Sequence, residues 1–281
     1  MPSVLITGAN RGIGLALTKA YAEKGYKVVA AVRDPSKMEA VNGVLVVKLD
    51  QGTLGDAKEK GNEIVDREGD EEGKPASRKR RKRRKRRKRR KRRKRRKRRK
   101  RRKRRKRRKT MSTKTSLGGE IDAISELKSK HGIDRLDLVI CNAAINVTHS
   151  KFAELSMDDL EITWKTNVRG PLVLFQATLP VQPEGSKFVV VSSGAGLLGR
   201  NIESAEVAKL HAEHPELVIL SLNPGWVPTE MGLQGAKWNG LDDTPQRLED
   251  TLPGMIKVID SATKDTTSGL MVNYDGKPMA W

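Results

Sequence analysis

Three glycines in the stretch Thr7-Gly8-Ala9-Asn10-Arg11-Gly12-Ile13-Gly14 lie between a short apolar run and an amphipathic segment. Each has a different physical use in such a turn. Gly8 permits a tight reversal, Gly12 lets the backbone approach a pyrophosphate, and Gly14 lets the following helix pack closely on the strand before it. The helix start then offers free N–H groups and the positive end of its dipole to phosphate oxygens. The chemistry implied is dinucleotide binding. A glycine triplet alone is a weak signal. Here it follows a strand, opens a helix and leads to a second strand, which is the context the signal requires.

The second strand-like run ends Ala31-Val32-Arg33-Asp34-Pro35. An acid at that point would hydrogen-bond the 2′-hydroxyl of NAD, whereas an arginine can pair with the 2′-phosphate of NADP. Arg33 stands at the strand end and Arg11 in the glycine turn, so two guanidinium groups could converge on that phosphate. NADP is therefore the expected cofactor, with NAD the alternative if Asp34 takes the position instead. Arg33 can also be read as a solvated strand-end charge. Asp50 ends the third strand and could accept from an adenine amino group; a helix N-cap is the other reading.

The elements that must position these residues follow from apolar periodicity. Strands are predicted at Ser3–Thr7, Lys27–Val32, Gly43–Leu49, Leu136–Cys141, Lys187–Ser192, Leu217–Leu222 and Gly269–Tyr274. Helical spacing covers Arg11–Lys24, where it stops at Gly25, and Met157–Leu179. Continuous apolar strands alternating with helices imply a parallel sheet covered on both faces. The fold class expected is α/β, a Rossmann-type doubly wound parallel sheet in one domain made of residues 1–51 and 120–281.

Residues 52–119 break the rhythm. All 32 residues from Arg78 to Lys109 are Lys or Arg, in a Lys-Arg-Arg repeat. Removing them from the formal net charge of +24 leaves −8, so the basicity belongs to one segment and not to the domain. So long a run of like charge repels itself and cannot bury a core, and disorder is expected. It reads as an insertion into a surface connection, which loop-closure entropy tolerates. Three readings of it stand side by side. It is an arm for non-specific polyanion binding or nuclear targeting, without aromatics for base stacking; or a tolerated low-complexity expansion; or a translated nine-nucleotide repeat.

Cys141 is the single cysteine, so no internal disulfide can form, in keeping with a reducing compartment. No secretory signal is read at the N-terminus, and no apolar run reaches the ~18 residues of a membrane span. A cytoplasmic location is expected, or a nuclear one if the basic run is genuine. No metal site is expected.

The spacing Thr-Gly-x3-Gly-x-Gly resembles that of the short-chain dehydrogenase/reductase family, and the likeness continues outside the insertion. Asp50 matches the family's adenine-contacting aspartate. Cys141-Asn142-Ala143-Ala144 resembles its Asn-Asn-Ala-Gly motif, with departures at Cys141 and Ala144. Asn167 matches the asparagine on the long helix, and Val191-Ser192-Ser193-Gly194 the strand end carrying the catalytic serine, Ser193. Asn223-Pro224-Gly225-Trp226-Val227-Pro228-Thr229 matches the Pro-Gly motif at the nicotinamide, with Thr229 reaching the carboxamide. The resemblance thus assigns Asn142, Pro224, Gly225, Val227 and Thr229 to the cofactor, and Ser193 and Asn167 to catalysis. His211–Leu217 and the tail from Asn273 are similar to a fungal branch that includes norsolorinic acid ketoreductase-like proteins. What this implies is NADP-dependent carbonyl reduction on a small-molecule substrate, and a homodimer through the helices flanking the fifth strand.

One part of the family pattern is missing. The family uses a tyrosine about thirteen residues after the serine as general acid, and a lysine four residues later that lowers its pKa. A phenol near pKa ~10 exchanges protons poorly at neutral pH without such a cation. Here Glu206 stands thirteen residues after Ser193, position 210 is Leu210, and none of Tyr21, Tyr26 and Tyr274 has a lysine four residues on. A block is missing between about Gly199 and Val207, which truncates the helix after the fifth strand. Ser204 could cap what remains. Apolar sheet surface should be left uncovered, and activity should be impaired. The alternatives to an impaired reductase are a cofactor-binding pseudoenzyme or sensor, and a nucleic-acid-associated protein acting through residues 78–109. Lys209, His211 and His214 are the nearest groups that could replace the tyrosine, although such histidines more often serve packing.

Overall fold

The computed structural model describes residues 1–49, 118–194 and 202–279. Asp50, the basic run 78–109 and most of the predicted insertion fall outside them. The described residues belong to one packed unit, which comprises Met1–Thr53 and Leu117–Trp281.

Strands β1 (Ser3–Thr7), β2 (Lys27–Val32), β3 (Val44–Lys48), β4 (Leu138–Cys141), β5 (Lys187–Val191), β6 (Val218–Asn223) and β7 (Met271–Asn273) lie parallel in the order β3-β2-β1-β4-β5-β6-β7. A two-residue strand, β8 (Pro278–Met279), pairs antiparallel with β7 at the edge. This is the doubly wound α/β fold predicted. The strand order reverses between β1 and β4, paired Val4↔Leu138 through Ile6↔Ile140. In such sheets a crevice opens there, beyond the carboxyl ends of the strands.

Alternate side chains of each strand feed two cores. On one face Val4, Ile6, Val28 and Val189 pack with Leu17 and Tyr21 of helix α1 (Gly12–Glu23) and with Met255, Val258 and Ile259 of a C-terminal helix. On the other face Leu5, Val29, Phe188 and Ile219 meet three helices. These are α2 (Gly118–His131), α4 (Gly170–Thr178) and α5 (Ile202–Glu213). Between α2 and α4 lies α3 (Met157–Trp164), and after β6 come α6 (Glu230–Trp238) and α7 (Leu248–Ser261). Strands buried on both faces explain why they read as unbroken apolar runs.

Four details differ from expectation. The predicted helix Met157–Leu179 is interrupted by a π-helical stretch at Lys165–Arg169, between α3 and α4. Helix α2 begins at Gly118, so the last residues of the predicted insertion belong to the domain. Ser204 does not cap α5, because the helix already starts at Ile202. Among the described residues the sheet beside the connection from β5 to β6 is also not left bare. Phe188 and Ile219 are 0 % exposed and Val190 4 %, with Val207 and Leu210 of α5 in the same cluster. Phe175 of α4 meets Phe188 edge-on, with ring centroids 5.1 Å apart.

Helix α5 is held by side chains distant in sequence. Lys264 Nζ donates to the carbonyls of His211, His214 and Leu217 at 3.1–3.3 Å. That places a cation at the negative end of the helix, where the last carbonyls lack partners. His211 Nδ1 lies 2.8 Å from the Ser268 hydroxyl. Among the described residues no helix is long and apolar enough to cross a membrane.

Candidate functional site

The turn after β1 is built as its glycines require. Gly8 has φ +65° and Gly12 φ +54°, a region costly to residues with a Cβ. Gly14 has an ordinary φ but no room: an added Cβ would stand 2.3 Å from the Gly8 carbonyl oxygen and 2.5 Å from Asn142 Nδ2. Close packing of α1 on the turn therefore demands glycine. Arg11, at the N-cap, gives no side-chain cap, and the first turn of α1 holds no acid. The leading N–H groups of Gly12, Ile13 and Gly14 are thus left for an anion.

The end of β4 is tied to this turn. Thr7 Oγ1 accepts from the backbone N–H groups of Asn142 and Ala143 at 3.1 and 3.0 Å. Asn142 Nδ2 donates to the Thr7 carbonyl at 3.0 Å. Thr7 and Asn142 therefore fasten together the two strands that flank the crevice. Asn167 sits in the π-helical stretch, a feature that often marks functional positions. Its Oδ1 accepts from Ile145 N–H at 2.9 Å and its Nδ2 donates to Ile145 O at 2.8 Å. Asn167 thereby fixes the loop that leaves β4.

Ser193 follows β5 and is exposed at the same carboxyl edge. Its neighbour Gly194 donates its N–H to Asn223 Oδ1 at 2.9 Å, and Asn223 Nδ2 donates to Asn273 Oδ1 at 2.8 Å. A chain of amides thus links the serine strand end, the Pro-Gly turn and β7. In that turn Pro224 and Val227 are buried, and Gly225 has φ +80° with the Tyr274 ring 3.1 Å from where a Cβ would be. Thr229 caps α6, its Oγ1 accepting from Gly232 N–H at 3.1 Å. Its methyl group stands 3.0 Å from the Cβ position of Gly12, so α6 starts directly over the glycine turn. Arg11 forms an ion pair with Glu230, the first residue of α6.

Arg33 is exposed after β2. Asp34 is engaged locally: its Oδ1 accepts from Ser36 N–H at 3.2 Å and Ser36 Oγ at 2.7 Å, capping the turn Pro35–Lys37. These hydrogen bonds from Ser36, chiefly that from its hydroxyl, hold its carboxyl below the ordinary range.

The groups considered as stand-ins for the tyrosine are occupied elsewhere. Lys209 pairs with Glu213 at 3.3 Å, and His214 with Glu216 at 2.9 Å. His211 is held at Ser268. All three lie toward the carboxyl end of α5, which leads into the start of β6, at the opposite edge of the sheet from Ser193. A cavity of about 240 Å³ lined by Tyr26, Asp137, Lys187 and Asp260 opens at that same opposite edge. Among the described residues no group of His, Cys, Asp and Glu is placed to hold a metal ion.

Asn223 and Glu230 join the site without having been singled out as ligands in the sequence. Asn223 stood inside the quoted Pro-Gly motif. Glu230 had no motif, and only the fold brings it to Arg11.

Residues 2–50 match the family described as short chain dehydrogenase, and residues 100–214 the one described as enoyl-(acyl carrier protein) reductase. Norsolorinic acid ketoreductase of Dothistroma septosporum is 31 % identical, over 57 % of this chain and 67 % of that one. The chain belongs to the short-chain dehydrogenase/reductase family. The enzyme of the same name from Aspergillus parasiticus is likewise 31 % identical, over 57 % of this chain and 66 % of its own length. The chain thus spans about two thirds of these relatives. A short chain dehydrogenase of Penicillium aethiopicum is 26 % identical with both chains fully covered. Carbonyl reductase Sniffer of D. melanogaster shares the fold, with a TM-score of 0.67, 18 % identity and full coverage of both chains. So does an NADPH-bound carbonyl reductase from chicken fatty liver, at 0.65 and 18 %, over 100 % of this chain and 99 % of that one.

Proposed function

We propose that this chain binds NADP(H) in the crevice between the glycine turn and the Pro224–Thr229 turn, and that it is impaired as a carbonyl reductase. The observation that carries the first half is the cradle itself. Gly8, Gly12 and Gly14 add no side chain of their own to an uncapped helix start, Thr229 of the Pro-Gly turn stands beside Gly12, and Thr7 with Asn142 holds the adjoining strand ends together. The residues present fit a dinucleotide pyrophosphate. Arg33 and Arg11 supply the cations for a 2′-phosphate, while Asp34, the alternative ligand for a free ribose, is occupied by Ser36. The NADPH-bound relative among the carbonyl reductases agrees with that choice.

Bound NADPH supplies a hydride to a carbonyl carbon. What the chain must add is a donor to the carbonyl oxygen. The Ser193 hydroxyl can hydrogen-bond that oxygen but is a poor acid near neutral pH. No tyrosine with a lysine four residues on exists to deliver the proton. A cofactor-holding pseudoenzyme or sensor is the role this leaves. Basic residues 78–109 would add non-specific binding of polyanions, independently of the crevice.

Thermal unfolding with and without NADPH tests the first half. Saturating cofactor at about 100 times its Kd stabilises by roughly 2.7 kcal/mol. No upward shift in Tm would refute cofactor binding. NADPH oxidation with quinones and aromatic ketones tests the second half. Turnover well above that of Ser193→Ala would show that the chain is a working reductase.

A further inference from the structure

Arg11 and Glu230 are 219 positions apart, and their side chains meet across the mouth of the crevice. Arg11 is the last residue before α1, and Glu230 is the first residue of α6. The Thr229 methyl lies against the Gly12 position in the same place. The ion pair thus ties the start of α6 to the glycine turn, with the Thr229 methyl filling the space beside Gly12. Resting on the NADP(H) reading above, we infer that Glu230 is a specificity determinant: it competes with the cofactor's 2′-phosphate for Arg11.

The competition follows from charge and geometry. Both side chains are largely exposed, at 64 and 59 %. An exposed carboxylate–guanidinium pair is weak, because water screens it and two long side chains must be ordered. A phosphate offers more charge and more acceptor oxygens, and it can take the guanidinium bidentately. A 2′-phosphorylated dinucleotide therefore gains Arg11 only by displacing Glu230, and this frees the first turn of α6. A dinucleotide with a free 2′-hydroxyl leaves the pair closed. Glu230 lowers the affinity for the phosphorylated cofactor and has no such effect on the other. A plainer role exists for an acid at this position, namely favourable interaction with the α6 dipole. That role would change stability and leave the cofactor ratio alone.

The test measures Kd for NADPH and NADH by quenching of tryptophan fluorescence in the full chain, for the wild type, Glu230→Gln, Arg11→Gln and the double variant. Glu230→Gln should tighten NADPH about two- to fivefold, the worth of an exposed ion pair, and leave NADH unchanged. In the Arg11→Gln background the same substitution should have no effect on the ratio. An unchanged NADPH/NADH ratio in Glu230→Gln overturns the inference, as does a change that persists without Arg11. Should Glu230→Gln fold poorly, Glu230→Asp keeps the first-turn charge with a shorter reach and should move the ratio in the same direction. A wild-type chain that binds neither dinucleotide refutes the NADP(H) reading itself. Binding of NADPH with a ratio insensitive to position 230 refutes only the competition.

Discussion

Replacing Gly14 by alanine tests whether the crevice is built as described. The backbone at Gly14 is ordinary, so the cost is one of space. The new methyl carbon would stand 2.3 Å from the Gly8 carbonyl oxygen, 2.5 Å from Asn142 Nδ2 and 2.9 Å from the Gly8 carbonyl carbon. Two of these atoms are backbone in a turn that already has φ +65°. Overpacking of this kind costs about 1–3 kcal/mol. Displacing Asn142 also loosens its 3.0 Å bond to the Thr7 carbonyl, worth about 1 kcal/mol. Alanine returns up to ~1 kcal/mol in helix propensity. The balance is a loss of about 1–3 kcal/mol, or a drop in Tm of roughly 2–12 °C for a domain of this size. Gly43→Ala is the control, since its φ of +73° is strained but nothing lies within 4 Å; it should cost about 1–2 kcal/mol from conformation alone. Urea unfolding followed by circular dichroism reads both. A Gly14→Ala midpoint equal to wild type would mean that α1 does not pack on the turn this way, and the case for the cradle would fail with it. Loss of NADPH binding should accompany the loss of stability in Gly14→Ala but not in Gly43→Ala.

Other expectations follow from the same structure. Phe188→Ala removes a fully buried ring and its edge contact with Phe175, and should cost about 3–5 kcal/mol in chemical denaturation. Lys264→Met removes three hydrogen bonds at the end of α5 and should cost about 1–3 kcal/mol; hydrogen exchange should show faster opening at residues 206–214. His211 is held below its ordinary pKa by burial first and then by the Lys264 charge. The unfolded chain therefore binds the proton more readily, so the stability due to neutral His211 is present above about pH 6.5 and is lost as pH falls. His211→Gln should flatten the slope of stability between about pH 7 and pH 5. Deleting residues 78–109 should abolish retention on heparin at low salt and leave NADPH binding intact; unchanged retention would dispose of the polyanion reading.

The strands were legible because both faces of a parallel sheet are buried. Val4-Leu5-Ile6 and Val28-Val29-Ala30 have no polar alternation to misread. The glycine turn was legible because its spacing has one steric solution. Other features depend on partners far away in the chain. Nothing near Glu230 announces Arg11, and nothing near Lys264 announces the end of α5. Strand β8 is two residues long and begins with a proline, too short for any periodicity. The π-helical stretch at Asn167 keeps the apolar spacing of a helix, so the sequence reads straight through it. Ser204 has the chemistry of a cap but not the position, since α5 already runs from Ile202. The expected bare surface beside the missing block failed for a related reason. Val207 and Leu210 of the short helix share one buried cluster with Phe188 and Ile219, so these strand residues are not left exposed.

The strand order also has a consequence for synthesis. β1, β2 and β3 can pair with one another as soon as they leave the ribosome, but β1 is completed only by β4. Between Lys48 and Leu138 lie 89 residues. At ~5–20 residues per second the wait is roughly 4–18 s. Through that interval Val4, Leu5 and Ile6 present an unpaired apolar edge, the kind of surface on which nascent chains join one another. The long connection would therefore be felt less in the stability of the finished fold than in the yield of soluble protein. That yield should rise when the connection is shortened or when translation is slowed after residue 141 rather than before it.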